Sequence, residues 1–182
     1  PQVHQVPELP APELPSLSEK QQTVADAILS KPAGEAPEHL IWGVTGSGKT
    51  RIYEYLIAQA LARGEQALLL VPEIALSGQI MDVIRQRFGN RSVLYHSGLS
   101  DGERFASQQA FLSGAAGIAV GTRSAVFLPA AKLGLIIIDE EHDGSFKDQR
   151  SLRFDTRVVA RLRQQCEPQV PRFILGSATP SL

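Results

Sequence analysis

The chain contains 182 residues, 43% of them hydrophobic and 20% charged, which is enough apolar material for one globular domain with its own core. Its formal net charge of -1 argues against the diffuse basic surface that drives non-specific nucleic-acid binding, so any DNA contact must be local. The single cysteine, Cys166, excludes an internal disulfide and a thiolate zinc cluster, and no apolar stretch approaches the roughly 20 residues that span a bilayer. We therefore expect a cytoplasmic protein, and because Pro1 is not an initiator residue we expect a segment of a longer one.

The chain begins with a proline-rich stretch, residues 1–16, whose composition disfavours helix and favours an extended polyproline conformation. We predict that this stretch is a linker and that the globular domain covers residues 17–182. Ser18 and Gln21 have the spacing of a capping box, and the apolar residues after them predict a first helix over 18–30 that ends near Pro32.

Short apolar runs alternate with segments of helical periodicity over the rest of the chain. Predicted strands lie at 40–42, 67–71, 92–95, 117–120, 133–138 and 173–175. Predicted helices lie at 52–62, 74–88 and 101–112. Strands without polar alternation that are separated by helices predict a mainly parallel central sheet buried on both faces. The expected fold is therefore α/β, with the sheet between two layers of helices.

A glycine-rich segment follows the first predicted strand, and residues 43–50 match the pattern G-x-x-x-x-G-K-[ST] without a mismatch. Such glycines let successive backbone N–H groups turn inward around phosphates, at a helix N-terminus that already favours an anion. Lys49 is expected to reach the β- and γ-phosphates of ATP, and the Thr50 hydroxyl is expected to ligate Mg²⁺. The predicted P-loop consists of Gly43, Val44, Thr45, Gly46, Ser47, Gly48, Lys49 and Thr50.

Carboxylates follow the most apolar predicted strand, at the carboxyl edge where open α/β sheets bind ligands. Asp139 is expected to hold Mg²⁺ through its water shell, and Glu140 to orient or deprotonate the water that attacks the γ-phosphate. Together with Lys49 they are the predicted catalytic residues. Glu141 and His142 have no role that this chemistry requires, and His142 fits a surface position equally well.

Three motifs occur in a fixed order: the P-loop, the acidic segment 139–142, and Gly-Ser-Ala-Thr-Pro at 176–180. This order resembles that of the superfamily 2 helicases. Three further stretches narrow the resemblance to the primosomal replication-restart helicases: 71–76, 96–104 and 121–125. The resemblance covers residues 17–182, and it implies a RecA-like first motor lobe that couples ATP hydrolysis to DNA unwinding at stalled or abandoned replication forks.

The resemblance also implies roles for individual residues. Gln21 matches the glutamine that recognises adenine. Motifs that touch the DNA backbone are matched by Pro72, Glu73, Thr122 and Arg123, and hydroxyl, guanidinium and backbone N–H groups are suited to phosphate contacts. Residues that couple hydrolysis to DNA movement are matched by His142, Ser177, Ala178 and Thr179.

The segment 143–157 corresponds to a family loop, rich in aromatic and basic residues, that senses single-stranded DNA. Residues expected to offer stacking and phosphate contacts are Phe146, Lys147, Arg150, Arg153, Phe154 and Arg157. The family usually has a histidine where Asp155 stands, and a negative charge there is expected to weaken phosphate contact. Further departures are Ser77-Gly78-Gln79 in place of Thr-Pro-Gln, and Gln108 in place of a tryptophan.

Cofactors follow from the same resemblance: ATP and Mg²⁺ in this lobe, and zinc only in a C-terminal part beyond this chain. The implied partners are DNA, forked or single-stranded, other replication-restart proteins and single-stranded-DNA-binding protein, in the bacterial cytoplasm at the nucleoid and with no membrane. The chain itself is expected to be monomeric. It is expected to bind ATP and Mg²⁺ but to hydrolyse ATP poorly and unwind nothing, because a second lobe supplies the arginine that acts on the γ-phosphate.

Two other interpretations compete with the motor lobe. One is a catalytically idle P-loop module that recruits replication proteins, against which the retention of both Lys49 and Glu140 argues. The other is a P-loop kinase or small-molecule ATPase, which would carry an arginine-rich lid and no Ser-Ala-Thr motif.

Overall fold

A computed structural model of the chain describes residues 13–33, 38–44, 46–77, 79–146 and 154–179. Most of the predicted linker, Thr45 of the P-loop and residues 147–153 lie outside the described residues. The helices are α1 (Glu19–Leu29), α2 (Lys49–Ala62), α3 (Gln79–Phe88), α4 (Asp101–Leu112) and α5 (Thr156–Cys166). The strands are β1 (His39–Trp42), β2 (Gln66–Leu70), β3 (Ser92–Tyr95), β4 (Ile118–Gly121), β5 (Leu133–Ile138) and β6 (Arg172–Ser177).

The six strands form one sheet in the order β1-β6-β5-β2-β4-β3, and each neighbouring pair is parallel. Because side chains alternate along a strand, each strand supplies both faces of the sheet. One face carries Leu69 and Ile137 and packs with α1, α2 and α3, whereas the other carries Leu68 and Ile136 and packs with Phe111 of α4 and α5. The predicted three-layer α/β fold is confirmed.

The predicted helix over 74–88 is divided in the structure. A 3₁₀ helix covers Glu73–Ser77, and the α-helix α3 begins only at Gln79. Glycine at position 78 disfavours a continuous helix because it loses more backbone entropy than other residues. The sequence prediction had merged the two because both contain apolar residues.

Helix α1 begins as predicted. The Ser18 Oγ accepts a hydrogen bond from the Gln21 backbone N–H at 3.3 Å, and the Ser18 N–H donates to Gln21 Oε1 at 2.9 Å. The two bonds form the capping box and hold the Gln21 side chain over the start of the helix. None of the helices in the described ranges is long and apolar enough to cross a membrane.

Parallel strands end at one edge, so the loops that follow all six strands share that edge. The P-loop follows β1, the Ser-Ala-Thr motif includes the end of β6, and the acidic motif follows β5. These three strands are consecutive in the sheet. The fold therefore places all the motifs predicted to handle ATP on one half of the edge.

Candidate nucleotide site

The P-loop turns on two glycines in the left-handed region. Gly46 has φ 81° and Gly48 has φ 87°, conformations that L residues with a side chain rarely adopt. Gly48 is the residue before α2, and a Cβ there would lie 2.4 Å from Gln21 Nε2. The backbone conformation favours glycine at the point where the loop becomes a helix, whereas the close contact is with the end of a flexible side chain, which can move.

Lys49 is the first residue of α2 and is only 8% exposed. Its Nζ donates to the Gly43 carbonyl at 2.6 Å and lies 3.3 Å from Glu140 Oε1. The ammonium group therefore spans the first residue of the P-loop and the acidic motif. A buried lysine needs such partners, because an unpaired charge away from water is costly.

Asp139 follows β5, and the Tyr53 hydroxyl donates to its Oδ1 at 2.8 Å. Burial raises the pKa of Asp139, and the adjacent Glu140 charge raises it further, while the bond from Tyr53 and the charge of Lys49 act in the opposite direction. Burial also raises the pKa of Tyr53 well above its usual value, with the Asp139 charge as the second cause. Tyr53 therefore stays protonated and acts as the donor.

Glu140 has a left-handed backbone conformation, with φ 47°, which is uncommon for a residue with a side chain. Its Oε1 faces Lys49, and its Oε2 accepts a hydrogen bond from the Ala178 backbone N–H at 3.2 Å. One carboxylate thus contacts both the P-loop lysine and the segment after β6. Local strain of this kind is common where a side chain is held for a function.

The segment after β6 is bonded to its neighbours at several points. The Ser177 carbonyl accepts from the Gly43 N–H at 3.1 Å, and the Ala178 carbonyl accepts from the Trp42 indole at 3.2 Å. Ser177 Oγ lies 2.9 Å from His142 Nδ1 and accepts from the Thr179 N–H at 3.2 Å. The sequence had left His142 without a required role, and the structure joins it to Ser177.

A cleft of 420 Å³ opens between these elements. It is lined by Val44, Gly46, Ser47, Gly48, Lys49, Thr50, Ala75, Ile80, Asp139 and Glu140. The predicted P-loop and acidic residues that the structure describes therefore meet around one space, with Gly43 bonded to Lys49 beside it. Ala75 and Ile80, which the sequence analysis did not single out, form part of the wall.

Gln21 lies beside the P-loop rather than in the main cleft. Its Nε2 donates to the Gly48 carbonyl at 3.2 Å, and it lines a second cavity of 140 Å³ that it shares with Trp42 and Lys49. The position is compatible with the predicted contact to adenine, which stays a prediction.

The oxygen atoms around the cleft suit a magnesium ion. Thr50 contributes a hydroxyl and Asp139 a carboxylate, and both line the same space. Magnesium prefers hard oxygen ligands and commonly takes one or two from the protein, with water and phosphate oxygens completing the octahedron. The donor set therefore fits Mg²⁺ bound together with a nucleotide.

Residues predicted to touch DNA follow the other half of the sheet, where β2, β4 and β3 are neighbours. Pro72 and Glu73 follow β2, and Thr122 and Arg123 follow β4. Glu73 is exposed and Arg123 is half-buried, whereas Pro72 is buried and Thr122 is only 3% exposed. The Thr122 side chain is thus directed away from solvent, and only part of this group is accessible.

The expectation for the segment 143–157 is wrong at Phe146. Phe146 is 1% exposed and packs in the core. Arg157 NH1 pairs with Glu141 Oε2 at 2.8 Å, and Arg157 NH2 pairs with Asp155 Oδ2 at 3.0 Å. Burial removes the Phe146 ring from stacking. The phosphate contact expected of Arg157, which has two carboxylate partners here, stays a prediction. Lys147, Arg150 and Arg153 lie outside the described residues.

Asp155 also has a different role from the one expected. Its side chain accepts a hydrogen bond from the Arg157 N–H at 2.8 Å and caps α5. Its negative charge is therefore used at a helix N-terminus, where an anion is favoured. Phe154 packs edge-on against Phe127, with ring centroids 5.1 Å apart.

Two side-chain contacts of the acidic motif were not predicted from the sequence. The bond between Tyr53 and Asp139 joins residues 86 positions apart, and the ion pair between Glu141 and Arg157 was hidden because Glu141 had no assigned role. A tyrosine on the helix after a P-loop, at the spacing of one turn from Lys49, was the one available signal.

A family model described as DEAD/DEAH box helicase matches residues 18–181. The chain is 46% identical to replication restart protein PriA of Synechocystis over 98% of its own length and 21% of that protein. The PriA of Helicobacter pylori is 44% identical over 92% of the chain and 26% of that protein, and the PriA of Bacillus subtilis is 43% identical over 81% and 18%. The similarity expected from the motifs is confirmed, and the chain spans about a quarter or less of these relatives.

Two solved structures share the fold. RecG bound to a three-way DNA junction has a TM-score of 0.65 and 22% identity, and the match covers 91% of this chain and 21% of RecG. The DUF1998 helicase MrfA bound to DNA has a TM-score of 0.61 and 19% identity, over 91% of this chain and 23% of MrfA. At this identity the two likenesses show the RecA-like fold alone.

Proposed function

The chain belongs to the DEAD/DEAH box helicase family, and on that premise we propose that it is the ATP-binding first motor lobe of a DNA helicase similar to PriA. In the longer protein this lobe couples ATP hydrolysis to DNA unwinding at stalled or abandoned forks, for replication restart. The observation that carries the proposal is the position of Lys49, whose Nζ lies between the Gly43 carbonyl and Glu140 on the wall of a 420 Å³ cleft. A P-loop lysine and an acidic pair around one cleft are the parts that phosphoryl transfer requires.

Nucleotide binding begins at the P-loop. Backbone N–H groups of the loop and the N-terminus of α2 attract the phosphates, because both present positive partial charge. Lys49 then exchanges its present partners, the Gly43 carbonyl and Glu140, for phosphate oxygens. Thr50 and Asp139 would hold Mg²⁺, which would neutralise charge on the phosphates.

The exchange at Lys49 has a consequence for Glu140. While Lys49 pairs with it at 3.3 Å, the glutamate is held as an ion-pair partner. Once the ammonium group turns to the phosphates, Glu140 Oε1 becomes able to accept a proton from a water molecule, while Oε2 stays bonded to the Ala178 N–H. Nucleotide binding thereby prepares the general base.

Coupling to DNA uses the segment after β6. The Ser177 hydroxyl contacts His142, the Ala178 N–H donates to Glu140, and the Ala178 carbonyl accepts from Trp42 at the end of the strand before the P-loop, so a change in nucleotide state would alter these bonds. Partners of the longer protein are DNA, other replication-restart proteins and single-stranded-DNA-binding protein, in the bacterial cytoplasm. A second lobe completes the site with an arginine, a contribution on the order of 10³–10⁵ in rate in related enzymes.

Nucleotide binding is tested with the chain itself, by titration with a fluorescent ATP analogue in the presence of Mg²⁺. Lys49→Ala is expected to abolish binding, because it removes the buried ammonium group from the cleft. Lys132→Ala is the matched control, since Lys132 is exposed and contacts the Arg63 carbonyl outside the site. Equal affinities for wild type and Lys49→Ala would contradict the proposal.

Hydrolysis is tested in the longer protein, with and without forked DNA. Glu140→Gln is expected to retain ATP binding and lose turnover, because the amide keeps the size of the side chain but cannot accept a proton from water. The isolated chain is expected to turn over slowly, without stimulation by DNA. Rapid DNA-stimulated hydrolysis by this chain alone would show that no second lobe is needed.

A further inference from the structure

Tyr53 is a fully buried tyrosine whose hydroxyl contacts the acidic motif. Its exposure is 0%, and its hydroxyl donates to Asp139 Oδ1 at 2.8 Å. On α2 it lies four residues after Lys49 and three after Thr50, so the three side chains share one face of the helix. The helix that carries the P-loop residues therefore also contacts the carboxylate opposite them.

Strand β6 also packs against the Tyr53 hydroxyl, at Gly176. A Cβ on Gly176 would lie 1.7 Å from the Tyr53 hydroxyl oxygen and 3.0 Å from Asp139 Oδ1. Only a residue without a side chain leaves room for the phenol at this point. Glycine at 176 and tyrosine at 53 are thus matched, because the space that one leaves is filled by the other.

A purely structural tyrosine would satisfy its hydroxyl wherever a buried acceptor was available. Here the acceptor is the carboxylate that lines the cleft. The hydrogen bond fixes one oxygen of Asp139 and so fixes the rotation of the whole carboxylate group. Partners behind a metal ligand commonly have this effect, and their removal commonly lowers metal affinity by about 10–100-fold.

We propose that Tyr53 is a positioning residue for magnesium binding. Its hydroxyl holds the Asp139 carboxylate in the orientation that Mg²⁺ with a nucleotide requires. The proposal rests on the proposed function, because it assigns Asp139 to Mg²⁺. It adds that the P-loop helix orients the acidic motif through a direct bond, so that Lys49, Thr50 and Asp139 are set relative to one another by one helix.

The test measures binding rather than turnover. A fluorescent ADP analogue is titrated into the chain, with Trp42, the single tryptophan, as energy donor next to the P-loop. Each protein is measured in EDTA and over a series of MgCl₂ concentrations. In EDTA, Tyr53→Phe is expected to bind the analogue with the affinity of wild type. To reach the affinity for the analogue that wild type has with Mg²⁺, it is expected to need a Mg²⁺ concentration at least about 10-fold higher.

The matched control is Tyr55→Phe on the same helix. The Tyr55 hydroxyl accepts only a long bond of 3.4 Å from Gln59 Nε2, so its loss is expected to leave the Mg²⁺ requirement unchanged. Gly176→Ala tests the same bond without changing either of its partners. Its methyl group would occupy the position of the Tyr53 hydroxyl and so separate that hydroxyl from Asp139. It is expected to raise the Mg²⁺ requirement as Tyr53→Phe does.

The outcomes separate the two proposals. If wild type binds the analogue with a Mg²⁺ dependence that Tyr53→Phe and Gly176→Ala both retain, the positioning role is overturned and the nucleotide site stands. If wild type does not bind the analogue at all, the proposed function and the positioning role are both overturned. If circular dichroism shows that both variants are unfolded, the bond between Tyr53 and Asp139 stabilises the fold, and this result also overturns the positioning role.

A double-variant comparison identifies the residue through which Tyr53 acts. Asp139→Ala is expected to lose most of the effect of Mg²⁺ on affinity. If Tyr53 acts through Asp139, then adding Tyr53→Phe to Asp139→Ala changes nothing further. An additional loss of the same size as in the wild-type background would overturn the proposal.

Discussion

Replacement of Arg157 by methionine is expected to destabilise the chain strongly, because it removes a guanidinium group that pairs with the buried Glu141 carboxylate. The Glu141 side chain is 3% exposed, and the guanidinium NH1 lies 2.8 Å from its Oε2. Removing one partner of a buried ion pair typically costs about 3–5 kcal/mol. Protonating an ordinary glutamate at pH 7 costs about 4 kcal/mol, and this cost is an upper limit for the loss in the free energy of unfolding, because a glutamate can take up a proton instead of staying charged.

We therefore expect Arg157→Met to lose about 3–4 kcal/mol of the free energy of unfolding at pH 7. For a chain of this length that corresponds to a decrease of about 6–16 °C in Tm. Urea unfolding followed by the fluorescence of Trp42, the single tryptophan, gives the difference directly.

Arg161→Met on the same helix is the matched control. Arg161 pairs with Glu38 at 2.8 Å, but the two side chains are 47% and 30% exposed, so its loss is expected to cost within about 1 kcal/mol. Glu141→Gln combined with Arg157→Met is expected to be more stable than Arg157→Met alone, since no buried charge remains. If Arg157→Met is no less stable than Arg161→Met, the argument from burial is refuted.

Two further predictions concern β1 and the P-loop. Burial and two nearby cations lower the pKa of His39, so its contribution to stability is present above about pH 6.5 and is lost as the pH falls through the lowered value. Between pH 7.5 and pH 5.5, His39→Gln should therefore lose less of its free energy of unfolding in urea than wild type does. Equal losses in the two proteins would contradict this. Gly48→Ala should cost about 1–2 kcal/mol and weaken nucleotide binding, because of the positive φ and the contact with Gln21, whereas Gly102→Ala, inside α4 with open space at its Cβ, should be neutral or stabilising. Urea unfolding and the nucleotide titration measure both variants, and equal behaviour of the two would contradict the steric argument.

The sequence was sufficient for the fold class and for predicting that the P-loop and the acidic motif lie at the same cleft. In a parallel sheet every strand ends at the same edge, so motifs that follow strands must meet there, whatever their distance along the chain. Lys49 was predicted from the P-loop pattern and Glu140 from its place after an apolar strand, and their pairing at 3.3 Å follows from the neighbouring positions of β1, β6 and β5. The roles assigned to these residues stay predictions until nucleotide binding is measured.

Helix α5 was missed because its burial pattern is the reverse of the usual one. The residues that face the core are Thr156, Ala160 and Gln164, which are small or polar, whereas Val158 and Leu162 are 49% and 56% exposed. A search for an apolar stripe therefore finds the wrong face. Arg157 was assigned to a DNA-sensing loop by the family resemblance, and the structure pairs its guanidinium group with Glu141 and Asp155.

The two halves of the carboxyl edge meet between β5 and β2. The Asp139 N–H donates to the Leu70 carbonyl at 2.9 Å, and Pro72 and Glu73 follow only two residues later. The Asp139 carboxylate is at the same time bonded to Tyr53 on the P-loop helix. On the proposed function, a shift of Asp139 on nucleotide binding would therefore act directly on the strand end that leads into the predicted DNA contact.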